Sequence, residues 1–255
     1  MIGSASNPRV KAAAALRQRS ARLDSGLFLI EGQKEIRQAI SAGVEIEQLF
    51  ILDGIELPDD WDLPAMSATV LGREAFDRIA YGRDGFVAVA QSPSLDLSFF
   101  SPSRPELILV AEAIEKPGNL GAMMRTADAA GAAVLVTDPV TDLTNPNVVR
   151  ASLGTLFTIE LATSSTAGAI RWLEDREVPL LVADVEKGLA PWEIDLRGPV
   201  ALAIGAEHQG LSTELVASAR DRIKIPMAGA TDSLNASSTA AILLFESVRQ
   251  RLSQR

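Results

Sequence analysis

The chain has 255 residues, 47% of them apolar and 22% charged, which is too apolar for a disordered polymer and long enough for one large domain or two unequal ones. With no cysteine and a single histidine, His208, it can hold no disulfide, thiol nucleophile, Cys-ligated metal or His-rich metal site, so no metal is expected. No apolar run approaches the roughly 18 residues of a membrane span, and the start MIGSASNPRVK lacks an apolar signal region, so a cytoplasmic protein without a membrane partner is expected.

The formal net charge of −9 is unevenly spread. Residues 1–22 carry Arg9, Lys11, Arg17, Arg19 and Arg22 and no acid, a local +5 that leaves −14 for the remainder. A basic arm on an acidic body has this asymmetry. Two readings compete: Arg17, Arg19 and Arg22 contact RNA phosphates, or they line a solvated helix face.

In chain order, residues 7–23 read as one helix, with Asn7 as cap, Pro8 in the first position and alanines following. LFLIEG (27–32) is a short strand ended by Gly32. QKEIRQAISAG (33–43) is an amphipathic helix with Ile36, Ala39 and Ile40 on one face and Gly43 as its stop. IEQLFIL (46–52) is a strand, PDDWDLPA (58–65) a loop, ATVLGREAFDRIA a strand edge and helix, and FVAVAQ a strand after Gly85. This alternation predicts a compact α/β domain over 1–92. The Pro- and Ser-rich stretch to residue 105 reads as a linker (93–105), part of it packed down through its two phenylalanines.

From 106 to 255 apolar strands alternate with helices, which predicts a parallel sheet covered on both faces. The strands are LILVAEAI (107–114), AAVLVTD, one after TNPNVVRASLGT, PLLVADV, PVALAIGAE (199–207) and RIKIP. A helix is expected from Leu120, and the last helix follows SLN. Three strand-ending loops carry the chemistry: EKPGNLGAMMR, AIGAEHQGLS and IPMAGATDSLNAS. None holds a GxGxxG or a P-loop, so the two commonest nucleotide loops are missing. In the last loop, Pro226 ends the ladder, Gly229 permits a backbone closed to other residues, and Ser233 and Asn235 can cap the final helix. Simple structural roles exist for each polar residue. Asn119 can cap a helix beginning at Leu120, and Arg125 can pair with Asp128. Glu207 follows an apolar strand, where an unpartnered carboxylate is costly.

The order N-LGAMMR, G-A-E-x-x-G-L, I-P-M…S-L-N resembles the SpoU-type (TrmH-like) tRNA/rRNA 2′-O-ribose methyltransferases of the SPOUT superfamily, across residues 105–255. The first domain, with FLIEG and DGFVAV, is similar to their small ribosomal-protein-like α/β substrate-binding domain. The resemblance implies a C-terminal SPOUT α/β domain with a trefoil knot, a homodimer, and S-adenosylmethionine (SAM) bound through backbone groups at Gly205, Ile225 and Leu234. By motif position, the residues implied in substrate binding and catalysis are Asn119, Arg125, Glu207, Ser233 and Asn235. It implies an RNA 2′-O-methyltransferase, with rRNA favoured over tRNA because a separate substrate domain precedes the catalytic one. A catalytically silent RNA-binding or ribosome-assembly protein of the same fold is the rival.

Overall fold

The strands Leu27–Glu31, Ile46–Leu52 and Phe86–Gln91 form where short apolar runs meet turn residues. The computed structural model of the chain describes residues 1–58, 61, 68–82, 84–104 and 106–253. In chain order the elements are α1 (Pro8–Ala15), α2 (Arg19–Ser25), β1 (Leu27–Glu31), α3 (Gln33–Ser41), β2 (Ile46–Leu52), β3 (Thr69–Leu71), α4 (Arg73–Asp77) and β4 (Phe86–Gln91). They continue with β5 (Leu107–Glu112), α5 (Pro117–Ala130), β6 (Ala133–Thr137), α6 (Pro146–Ser152), β7 (Leu161–Ser164), α7 (Thr166–Asp175), β8 (Leu180–Ala183), β9 (Val200–Ile204), α8 (Thr213–Ser218), β10 (Asp221–Ile223) and α9 (Ala236–Leu252). The loop predicted over 58–65 lies mostly outside the described residues. The chain divides into two units, Met1–Ser94 with Asp142–Thr158, and Leu95–Thr141 with Ile159–Arg255.

The first unit is built on a mixed sheet of order β1-β4-β2-β3, in which β4 runs antiparallel to both neighbours and β3 parallel to β2. Alternate side chains point to opposite faces. Leu29, Phe50, Val87 and Val89 pack with Val10, Ala13, Phe76 and Ile79 on one side. On the other, β1 meets α3 and α6, and the rings of Phe28 and Phe157 lie 6.2 Å apart. The sequence showed 142–158 as a helix start and a strand of the second half. Instead α6, capped by Asn145 and burying Val148 and Val149, completes the first unit.

One helix was expected over 7–23, but two form. Gln18 is extended (φ −87°, ψ 136°), and the Arg22 guanidinium takes up the carbonyls freed at the break, donating to Leu16 O at 2.8 Å and Arg17 O at 3.0 Å. Its other nitrogens donate to Asp142 Oδ2, at 2.9 Å from Nε and 2.6 Å from Nη2. Arg22 is only 3% exposed. This corrects the expectation that it contacts phosphate: a buried guanidinium already joined to a carboxylate has no face left for RNA. Arg19 is exposed and Arg17 half-buried.

The second unit is an all-parallel sheet of order β10-β8-β9-β5-β6-β7. Ile108, Val110, Leu135, Val182 and Ala203 face Ala169, Trp172 and Leu173 of α7 and Leu215 of α8. By the two-residue strand period, the opposite face receives α5 and α9, which pack on each other and on β5, β6 and β9. The segment entering this unit is pinned by Thr163 N donating to Leu95 O at 2.7 Å. Of its two phenylalanines, Phe100 is buried against the Trp172 ring at 5.0 Å, while Phe99 is exposed. Because β5 and β9 are neighbours from which the chain departs in opposite directions, their C-terminal ends form the switch point where α/β sheets bind ligands.

Candidate active site

Three loops follow β5, β9 and β10. The first is shorter than its sequence implied. Pro117 occupies the first position of α5 with Lys116 as its cap residue, so Asn119 lies inside the first turn and does not cap the helix. Proline's fixed φ and missing N–H suit that first position, which explains the earlier start. The Asn119 amide is free to reach across the unit. Its Nδ2 donates to Glu207 Oε1, and its Oδ1 accepts from Asn235 Nδ2 at 3.1 Å. Asn235 is the true cap of α9, accepting from Ser237 N at 2.9 Å and Ser237 Oγ at 2.6 Å. One network therefore ties a residue from each loop, with the α9 cap as its anchor.

Glu207 Oε2 is buried and has no hydrogen-bond partner among the described residues. A carboxylate oxygen in that state, one atom from a satisfied one, has the capacity to accept a further donor. Arg125 is exposed and forms no ion pair with Asp128; the structure leaves it outside the Asn119–Glu207–Asn235 network. Ser233 is exposed, and its carbonyl accepts from Thr231 Oγ1 at 3.1 Å; its side chain does not cap α9. His208 is exposed.

Gly205 is required by the chain itself. A Cβ there would collide with the backbone of Gly210 and Leu211, which folds back through the Gly210 N to Ala206 O bond of 2.9 Å. Gly229 does not adopt a left-handed conformation, contrary to its expected role, and a Cβ there would meet open space. Ile225 and Leu234 are half-buried at the two ends of the last loop. Among the described residues, no backbone amide from 225 to 234 donates to a backbone carbonyl.

One supporting residue escaped the sequence reading. Glu112, at the end of β5, is 3% exposed. It accepts from Ser212 N at 2.6 Å, Ser212 Oγ at 2.7 Å and Thr166 Oγ1 at 2.7 Å. Ser212 caps α8 immediately after the 205–211 loop, so this carboxylate holds the loop's far end. Its signal was an acid at the end of an otherwise apolar strand, where burial demands partners.

A parallel α/β unit with its polar network at the switch point, joined in one chain to a small mixed α/β unit, defines a ligand-binding enzyme class with an accessory domain. Comparisons sharpen this. Residues 106–245 match the SpoU rRNA Methylase family model, and residues 7–84 match the MRM3-like substrate binding domain. The chain is 35% identical over 187 residues to a 23S rRNA (guanosine-2′-O-)-methyltransferase, RlmB, of Bordetella pertussis, covering 70% of this chain and 76% of that protein. It is similar to a crystal structure of an RNA 2′-O ribose methyltransferase (40% identity, TM-score 0.85, covering 98% of this chain and 99% of that one). It is also similar to the SpoU methyltransferase AviRb of Streptomyces viridochromogenes in complex with AdoMet (29% identity, TM-score 0.87, covering 98% and 100%). The chain belongs to the SpoU rRNA methylase family.

Proposed function

We propose that this chain transfers a methyl group from SAM to a ribose 2′-hydroxyl of ribosomal RNA. The observation that carries the reading is the Asn119–Glu207–Asn235 network, which gathers three ligand loops around one unsatisfied buried carboxylate oxygen. The 23S rRNA relative favours rRNA over tRNA as substrate. In this reading residues 1–92, completed by 142–158, form the RNA substrate-binding domain, 93–105 the linker and the rest of 106–255 a knotted methyltransferase domain, acting as a homodimer in the cytoplasm.

The residues present fit the cofactor. The 225–234 backbone, unused by other backbone groups, together with half-buried Ile225 and Leu234, offers hydrogen-bonding and apolar surface to an adenosine. Gly205 keeps the neighbouring loop close-packed beside it. SAM, when bound, supplies a methyl carbon made electrophilic by its sulfonium. The chain must orient the attacking hydroxyl, since holding the reacting atoms in line removes a large part of the barrier to such a displacement. Glu207 Oε2 is free to accept a hydrogen bond from a ligand hydroxyl or amine while Asn119 fixes the other oxygen. Arg125 serves as a phosphate clamp and hydroxyl orienter, its planar fork of donors matching phosphate oxygens. Asn235 anchors the last loop through its cap of α9, and the exposed Ser233 on that loop is left to meet the substrate.

Titration calorimetry with SAM tests the cofactor half of this reading. The wild-type chain is expected to bind SAM, and Gly205→Ala to weaken binding by about tenfold or more, since overpacking of about 1–3 kcal/mol must shift the 210–211 backbone. Absence of heat from the wild type would sink the proposal.

A further inference from the structure

We propose that Tyr81, Arg17 and Arg150 form a binding site for an unpaired RNA base and its phosphate in the first unit. The inference deepens the reading of the chain as an RNA-modifying enzyme and rests on it.

Tyr81 is the only tyrosine in the sequence, and it is 54% exposed. Its base is held firmly: Tyr81 N donates to Glu31 Oε1 at 2.8 Å, Gly82 N donates to the same oxygen, and Arg17 Nη2 donates to Ala80 O at 3.0 Å. Two guanidiniums lie over the ring, with Cζ of Arg17 4.1 Å and Cζ of Arg150 5.2 Å from its centroid. Neither arginine is paired with a carboxylate among the described residues; Arg150 donates only to Asn147 Oδ1, at 3.1 Å. Glu31, the acid beside the ring, is already engaged by the two amides. In a chain of net charge −9, two guanidiniums converge on one exposed ring with no ion pair among the described residues, and a bound anion adds the counter-charge they lack.

The chemistry selects the ligand. Guanidiniums match phosphate oxygens, and an aromatic ring or a guanidinium plane stacks on a base. A base inside a helix has both faces covered by its neighbours, so the partner is single-stranded. The site exists because residues 142–158 fold into the first unit: α6 brings Arg150 to a tyrosine 69 positions earlier in the chain.

A single tyrosine makes the test direct. Nitration of Tyr81 by tetranitromethane is followed by intact mass with a short single-stranded RNA, the same strand in a duplex, or heparin. The single strand is expected to slow nitration several-fold more than either control. Equal protection by heparin, or none by the single strand, overturns the proposal. In parallel, fluorescence anisotropy of the labelled single strand is expected to show about tenfold weaker binding for Tyr81→Ala and Arg150→Ala, with Tyr81→Phe within about twofold of wild type. Unchanged binding by Arg150→Ala and Tyr81→Ala also overturns it. Protection by a chain that methylates no RNA would retain this site and reject the methyltransferase reading; methylation of rRNA without protection would do the reverse.

Discussion

Alanine in place of Arg125 is expected to lower methyl transfer into ribosomal RNA by roughly 10²–10³-fold, the usual cost of removing one preorganised group that meets developing charge. The melting temperature should stay within about 1 °C of wild type, because an exposed side chain without a partner among the described residues contributes little to folding. That separation distinguishes a reaction role from the helix-face role, in which loss of an Asp128 pair would cost a few tenths of a kcal/mol and no activity. Arg125→Lys should recover only part of the rate, since an ammonium lacks the planar fork that grips phosphate through two bonds. A steady-state assay with rRNA and saturating SAM reads both variants. Full activity in Arg125→Ala would remove this residue from the site.

The second large effect concerns folding of the first unit. Arg22→Ala removes a buried guanidinium and leaves Asp142 and the carbonyls of Leu16 and Arg17 without their donor. Breaking a buried pair from one side costs about 3–5 kcal/mol, so the unit's transition in calorimetry should fall by roughly 10 °C or more. The effect has a pH signature. Burial pushes the Asp142 carboxyl up, but hydrogen bonds from Thr144 and Arg22, with the charge of Arg22, together hold it below the ordinary aspartate value. A carboxyl depressed on folding stabilises the folded state above its unfolded pKa and loses that contribution as pH falls through the folded value. The gap between wild type and Arg22→Ala should therefore narrow as the pH drops below about 4. A constant gap from pH 7 to 3 would contradict this account of the pair. Because the same segment carries Arg150, loss of its anchor should also weaken single-stranded RNA binding.

The strands were legible in the sequence because each is a short apolar run with clear punctuation. Leu27–Glu31, Ile46–Leu52 and Phe86–Gln91 fall where composition placed them. Tertiary packing decided what local pattern could not. Nothing near Pro146 announces that the helix it begins will bury Val148 and Val149 in the first unit, since that depends on β1 and on Asp142 meeting Arg22. Likewise the arginine-rich start looks like one basic helix until Arg22 turns inward at the break. In the site, Asn119, Glu207 and Asn235 are separated by up to 116 residues, and only the order of motifs joined them before the geometry did. Glu112 stayed hidden because its partners, Ser212 and Thr166, are ordinary capping and helix-start residues in sequence.

The most direct test of the central claim is transfer of tritiated methyl from SAM into rRNA, followed by alkaline hydrolysis. A 2′-O-methyl group removes the hydroxyl that alkali needs to cleave the adjacent phosphodiester. The account predicts label in alkali-stable dinucleotides with the wild-type chain and almost none with Arg125→Ala. A chain that binds SAM but labels no RNA, as a silent ribosome-assembly protein would, contradicts it; so does label released as mononucleotides, the mark of a methylated base.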